Sequence, residues 1–249
     1  MEDQVIIVTG ATSGMGRAIA TQLAQIGKKL ILNGRDEKKG KNLIEELEKY
    51  TELVFVAGDV SLPETNELLV KKAISHFGKI SGIITNAGVL GIGSATAISI
   101  EDWHYTFNTN FNSFFYLSKY AIPYIKKEKG FIIANASIAA FKSFPNHAAY
   151  CASKAALVSL VKQMAVDYGP EIRINAICPG PVDTPLIWDS AKAFPDPKAA
   201  VSNVQEATLL KRLGKPADIA NLVEFLISEK ASWFTGSAIT IDGGIMASH

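Results

Sequence analysis

The sequence predicts an α/β protein, a doubly wound, three-layer fold in which a seven-stranded parallel sheet carries helices on both faces. Three observations lead there. Short apolar runs alternate with longer amphipathic ones along the whole chain. The apolar runs show no polar alternation, as expected of strands buried on both faces. The first of them runs into a glycine-rich turn and then a helical stretch, the connection that opens a strand–helix unit.

The elements follow in order. QVIIVT (4–9) is the first strand, with a helix running to about Ile26. KLILN (29–33) is the second strand, and the charged run 36–49 is a helix. ELVFVA (52–57) is the third, and SLPET opens a helix with Ser61 as N-cap and Pro63 in the first turn. ISGIIT (80–85) is the fourth strand, before a glycine-rich loop and a long helix over roughly 101–127. GFIIANA (130–136) is the fifth, followed by a helix that carries Tyr150 and Lys154. IRINAIC (172–178) is the sixth, PADIANLVEFLIS (216–228) a helix, and AITID (238–242) the seventh strand.

With 249 residues and 48% hydrophobic composition the chain can bury a sizeable core. No linker divides it, so 1–249 reads as a single domain. The stretch 181–208 lacks a clear strand and is marked by Pro181, Pro185, Pro195 and Pro197. Within it, about 185–208 is expected to form a substrate lid.

Composition excludes several classes. The net charge is +1, and the lysine clusters (Lys38, Lys39, Lys41; Lys126, Lys127, Lys129) are mixed with acidic residues, so no nucleic-acid partner is expected. Two cysteines, Cys151 and Cys178, give neither a disulfide framework nor a CxxC metal spacing, so no metal is expected. A reduced, cytoplasmic setting follows. The N-terminus lacks a signal-peptide pattern, and no apolar run is long enough to span a membrane.

Two stretches carry chemistry. VTGATSGMGRAI (8–19) places glycines at 10, 14 and 16 where the first strand meets its helix. Such a turn aims backbone N–H groups at a phosphate or pyrophosphate, although a merely tight, packed turn uses glycine too. No Lys-Ser/Thr pair follows, so it is not a P-loop. AAYCASKAAL (148–157) sets Tyr150 one helical turn before Lys154. Taken alone, that pair also reads as a surface tyrosine and lysine.

The chain resembles the short-chain dehydrogenase/reductase family across its length. TGATSGMG (9–16) is similar to the family's TGxxxGxG turn, and TNAG (85–88) to its NNAG element with Thr85 in place of the first Asn. NASIAA (135–140) resembles the serine-bearing segment, with Ser137 at family spacing before the YxxxK of Tyr150 and Lys154. PGPVDTP (179–185), KRLGKPADIA (211–220) and TGSAITIDGG (235–244) resemble the later signatures.

The resemblance implies a Rossmann-type fold and hydride transfer between a nicotinamide and a ketone or secondary alcohol. Tyr150 is the implied general acid or base, with a phenol that Lys154 is expected to make more acidic. Ser137 would hold the substrate oxygen. Asn110, preferred over Asn108 and Asn112 by the family pattern, would hold water connecting Lys154 to solvent. The 3-oxoacyl thioester reductases are one subtype. Steroids, sugars and small ketones are other substrate classes, and a cofactor-binding sensor or scaffold is the non-enzymatic alternative.

The cofactor residues implied are Gly10, Thr12, Ser13, Gly14, Met15 and Gly16 in the turn, Arg35, and Asp59 and Val60 at the adenine. Asn86, Ala87 and Gly88 would lie along the adenosine, Pro179, Gly180, Val182 and Thr184 at the nicotinamide, with Tyr150 and Lys154. At the end of strand two the family position for a ribose-binding carboxylate is Gly34, and Arg35 follows. A guanidinium suits a 2′-phosphate, so NADP(H) is expected in preference to NAD(H). Asp36 either caps the next helix or faces the ribose. Gly91, Ile92, Phe141, Phe144, Leu186, Ile187, Trp188 and Phe194 suggest an apolar pocket for a small-molecule substrate, or ordinary core packing. A homotetramer, or a homodimer, is the expected assembly.

Overall fold

A computed structural model describes residues 3–247. The expected domain ends, 1–2 and 248–249, lie outside the described residues. Seven parallel strands form one sheet in the order β3-β2-β1-β4-β5-β6-β7. They are β1 (Val5–Val8), β2 (Lys29–Gly34), β3 (Leu53–Ala57), β4 (Gly82–Thr85), β5 (Phe131–Asn135), β6 (Arg173–Pro179) and β7 (Ala238–Ile241). β1 is an interior strand, third in that order, with Ile6 in register with Leu30 of β2 on one side and Gly82 of β4 on the other.

Apolar strands without alternation have a use for both faces. Ile7 and Ile83 point into one core with Leu69, Phe114, Leu117 and Val161. Their neighbours Ile6, Val8 and Ile84 point into the other with Ile19, Leu23, Leu43 and Val223. The first core lies under α3 (Pro63–Phe77), α5 (Ser113–Ile125) and α6 (Ala148–Tyr168). The second lies under α1 (Gly14–Gln25), α2 (Glu37–Leu47) and α9 (Pro216–Ile227). This is the three-layer, doubly wound architecture. From β1 the chain steps outward to β2 and β3 and then crosses back through α3 to lay β4 on the other side of β1, and the crevice at that reversal is where such sheets bind ligands.

Local chemistry sets the helix limits. Asp36 caps α2, its carboxylate accepting from Lys39 N at 3.0 Å, and so takes the capping alternative. Ser61 does not cap α3. Leu62 holds that position, with Pro63 at the helix start, because Asp59 Oδ1 draws Ser61 N into a turn at 2.9 Å. The long helix expected over 101–127 is divided. α4 (Ile100–Phe107), capped by Ser99, passes into a π-helical turn at Asn108–Asn112 before α5, and Lys126–Glu128 closes as a 3-10 turn. In the π-turn Ser113 N donates to Asn108 O, five residues back. One extra residue enters the helix there, as often happens where a helix serves a site.

The stretch 181–208 holds two short helices, α7 (Pro185–Ala191) and α8 (Pro197–Ala207). Each starts on a proline whose missing N–H costs nothing at that position. Among the described residues, no helix is long and apolar enough to cross a membrane.

Candidate active site

A cleft of about 760 Å³ opens at the carboxyl ends of β1, β2 and β4. The glycine turn forms its floor. Gly10 has φ +63, and a Cβ on it would meet Ala87 Cα at 2.9 Å. Gly16 does not line the cleft. A Cβ on it would lie 2.2 Å from Gly10 O and 2.3 Å from Asn86 Nδ2, so it is the residue that lets α1 pack against the turn. Thr12, Ser13, Gly14 and Met15 do line the cleft with Gly10. Ser13 is the N-cap of α1 but makes no side-chain capping bond, leaving the first N–H groups of the helix for an anion.

Opposite the turn, Asn86 donates to Gly10 O at 3.2 Å, and its Oδ1 accepts from Asn135 Nδ2 at 2.8 Å. These rungs tie the ends of β1, β4 and β5 together. Asn86, Ala87 and Gly88 line the cleft, as do Arg35, Asp59 and Val60 at its end beyond β2 and β3. The Asp59 carboxyl is pushed up by burial, but bonds from Ser61 and Tyr105 outweigh this and hold it below its usual range.

Lys154 is buried on α6 and donates from Nζ to Asn135 O at 2.8 Å. Burial pulls its ammonium down to about 8. The Tyr150 ring lies 5.7 Å from the same Nζ. The phenol is shifted upward, mainly by burial, with a Ser137 hydrogen bond opposing the shift. The expected acidification by Lys154 is absent from this geometry, since Nζ donates to the backbone of β5 rather than to the phenol. Ser137 follows β5, where its Oγ accepts from Ala139 N at 3.1 Å.

Asn110 sits in the π-turn. Its Oδ1 accepts from Val89 N at 2.8 Å, and its Nδ2 donates to Val89 O at 2.9 Å and Ser153 Oγ at 3.0 Å. A Cβ on Gly88 would stand 3.4 Å from Asn110 Oδ1 and 3.7 Å from Lys154 Nζ, so both side chains converge behind the cleft wall. Asn108 and Asn112 pair with each other at 2.7 Å instead.

A second, apolar chamber of about 190 Å³ adjoins the cleft. Phe144, Leu186, Ile187 and Phe194 line it, as expected. Gly91 and Ile92 line the cleft instead. Phe141 and Trp188 are exposed, and the Trp188 indole donates to Asp183 at 3.1 Å. Pro179, Gly180 and Val182 line the chamber rather than the cleft, and Thr184 borders both. Tyr150 also lies on the wall common to the two, and Ser137 faces the chamber.

Sequence reasoning missed His147, Ser190 and Tyr105. His147 Nδ1 meets Pro145 O at 2.6 Å, which fixes a hydrogen there because a carbonyl only accepts. Its Nε2 meets Ser190 Oγ of α7 at 2.8 Å. A histidine within one turn of Tyr150 was the only signal available.

The residues fit a dinucleotide. The α1 terminus is uncapped, Cβ-free backbone lines the turn, and Asn135, on the cleft wall, keeps its Oδ1 buried without a partner. Such a cleft joined to an apolar chamber by a tyrosine defines the class of dinucleotide-binding oxidoreductases.

The comparisons agree. A family model described as enoyl-(acyl carrier protein) reductase matches residues 10–246. An uncharacterized oxidoreductase of Thermotoga maritima is 36% identical, over 99% of this chain and 98% of that protein. Dehydrogenase/reductase SDR family member 4 of Caenorhabditis elegans is 35% identical, over 99% and 96%. The crystal structure of levodione reductase superposes with a TM-score of 0.92 at 30% identity, over 99% and 98%. The chain belongs to the short-chain dehydrogenase/reductase family. It is an oxidoreductase of CH–OH and C=O groups, in a family that uses NAD(P)(H).

Proposed function

We propose that this protein is an NADP(H)-dependent oxidoreductase that interconverts a ketone and a secondary alcohol, with Tyr150 as the general acid or base. The observation that carries the reading is the position of Tyr150 on the wall shared by the cleft and the apolar chamber. The α1 terminus, Asn86 to Gly88 and Lys154 would hold a nicotinamide dinucleotide in the cleft, and that group would supply or take up the hydride. The phenol of Tyr150 gives its proton to the carbonyl oxygen or removes one from the alcohol. Its raised pKa keeps that proton in place at neutral pH, as reduction requires. Ser137 orients the same oxygen through its hydroxyl. Lys154 and Asn110, buried together behind the cleft wall, supply the route by which its proton is replaced.

Arg35 at the end of β2 supports NADP(H) over NAD(H), since Asp36 is engaged as a helix cap. The α7–α8 segment acts as the lid, contributing Leu186, Ile187 and Phe194 to the chamber. The small apolar lining favours a compact hydrophobic carbonyl compound. Exposed Leu209, Leu210 and Trp233 support burial against further copies, in a homotetramer or homodimer. The two free cysteines accord with a cytoplasmic setting.

The test is Tyr150→Phe, assayed by NADPH oxidation against a panel of ketones, aldehydes and 3-oxoacyl thioesters. Turnover falls by at least about a hundredfold while NADPH affinity holds. Unchanged turnover refutes the assignment. Binding of NADPH without turnover of any substrate by the wild type favours the sensor alternative.

A further inference from the structure

We infer that Tyr105 is a positioning residue for cofactor selection, holding the Arg35 guanidinium where the 2′-phosphate of an adenine dinucleotide would sit. The inference rests on the NADP(H) reading above and extends it to a residue outside the family motifs. Three side chains from three elements meet at the adenine end of the cleft. Arg35 follows β2, Asp59 follows β3, and Tyr105 lies on α4. Arg35 NH1 is 2.8 Å from the Tyr105 hydroxyl, which is 2.9 Å from Asp59 Oδ2.

The chemistry orders this chain. A guanidinium only donates, and an ionised carboxylate only accepts. Tyr105 must therefore give its single hydrogen to Asp59 and take one from Arg35. The proton stays on the phenol, because burial and the bond to Asp59 both push its pKa up. Asp59 Oδ1 is already taken by Ser61 N at 2.9 Å. Tyr105 thus occupies the other carboxylate oxygen and stands between it and Arg35.

Two consequences follow for an anion. One N–H of the guanidinium is tethered, and its remaining donors have no acceptor among the described residues. A planar fork held at one corner suits bidentate recognition of a phosphate. Tyr105 also keeps Arg35 from closing directly on Asp59, where the ion pair would compete with a phosphate. Lys39, whose ammonium lies 3.8 Å from the Asp36 carboxylate, lines the same rim.

The test is Tyr105→Phe, with affinities for NADPH, NADH, 2′,5′-ADP and 5′-AMP measured by calorimetry. Circular dichroism and the unfolding midpoint establish that the variant is folded. The expected result is a loss of about three- to tenfold for NADPH and 2′,5′-ADP, the cost of an arginine that must be ordered on binding. NADH and 5′-AMP change by less than about twofold. Arg35→Ala removes the same selectivity, and adding Tyr105→Phe to it costs nothing further, because the tyrosine acts through the arginine.

Equal losses for all four ligands overturn the inference, as they would place the effect at Asp59 or in the fold. So does an unchanged preference for NADPH, or full additivity with Arg35→Ala. Failure of the underlying reading looks different, because the wild type itself would then bind NADH as tightly as NADPH. A variant too unstable to measure is replaced by Tyr105→His, which can donate one hydrogen and accept another. Retention of NADPH selectivity in that variant supports the inference, and its loss counts against it.

Discussion

Replacing Lys154 by methionine isolates the energy stored in burying its ammonium. The side chain is 4% exposed, and its pKa falls from 10.5 to about 8, chiefly through burial. A depressed lysine destabilises the fold wherever it must be charged. Below pH about 8 both folded and unfolded chains carry the proton, and the penalty is present in full. It amounts to about 3 kcal/mol, from ~1.36 kcal/mol per pKa unit. Between the folded and unfolded pKa values the unfolded chain binds more protons, so the penalty is relieved as pH rises. From pH about 7 to about 9.5 that relief is about 2 kcal/mol.

The variant also loses the bond to Asn135 O, about 1.5–3 kcal/mol for a charged donor. Its stability at neutral pH therefore lies close to that of the wild type. The assay is urea unfolding of both cofactor-free proteins across this pH range. Groups that do not sense Lys154 titrate alike in both chains and cancel in the difference, and Cys178, which does sense it, titrates at about 11, above the range measured. The stability of the wild type relative to Lys154→Met rises by about 2 kcal/mol from neutral to alkaline pH. A flat difference, or one that falls, refutes the account of a charge held against its desolvation.

Three further predictions concern the walls of the site. Gly16→Ala forces a Cβ onto Gly10 O and Asn86 Nδ2, destabilises the fold by about 1–3 kcal/mol and weakens cofactor binding, read by unfolding and fluorescence titration. Asn110→Ala leaves Val89 N and O without their side-chain partners and costs about 2–4 kcal/mol, whereas Asn108→Ala costs under about 1 kcal/mol in the same denaturation assay. Ser190→Ala removes the contact from α7 to His147 and raises KM for the carbonyl substrate about three- to tenfold, with NADPH affinity unchanged. Equal effects on both ligands would show that the pair supports the whole site rather than the chamber.

The strands are legible in the sequence because a parallel sheet covered on both faces needs continuous apolar runs, and Ile6 and Ile7 are buried in opposite cores. The turn at Gly10–Gly16 and the Tyr150–Lys154 spacing are legible because local geometry alone places those residues on one turn. The choice of Asn110 over its neighbours was carried by resemblance. Its physical reason, the π-turn, is hidden because one added residue hardly alters a helical apolar pattern. Ser61 looks like a cap, and only the competing Asp59 carboxylate shows why it is not.

Tyr105 and the His147–Ser190 pair are invisible for another reason. Their partners stand 70, 46 and 43 residues away, brought close only by the order of the strands. The rise in the Tyr150 pKa is likewise a product of burial, which spacing does not encode.

The interior place of β1, between β2 and β4, decides how long one of its edges waits for a partner as the chain is synthesised. Its partner β2 follows soon after, but the opposite edge stays open until Gly82–Thr85 of β4 is made. During that interval an apolar strand presents unpaired N–H and C=O groups, the kind of edge on which chains aggregate. Asn86, whose amide bonds Thr9 and Gly10, emerges with β4 and locks the turn as that edge closes. Truncations that end before β4 are therefore expected to be insoluble, and cofactor can begin to protect the nascent chain only after that strand has docked.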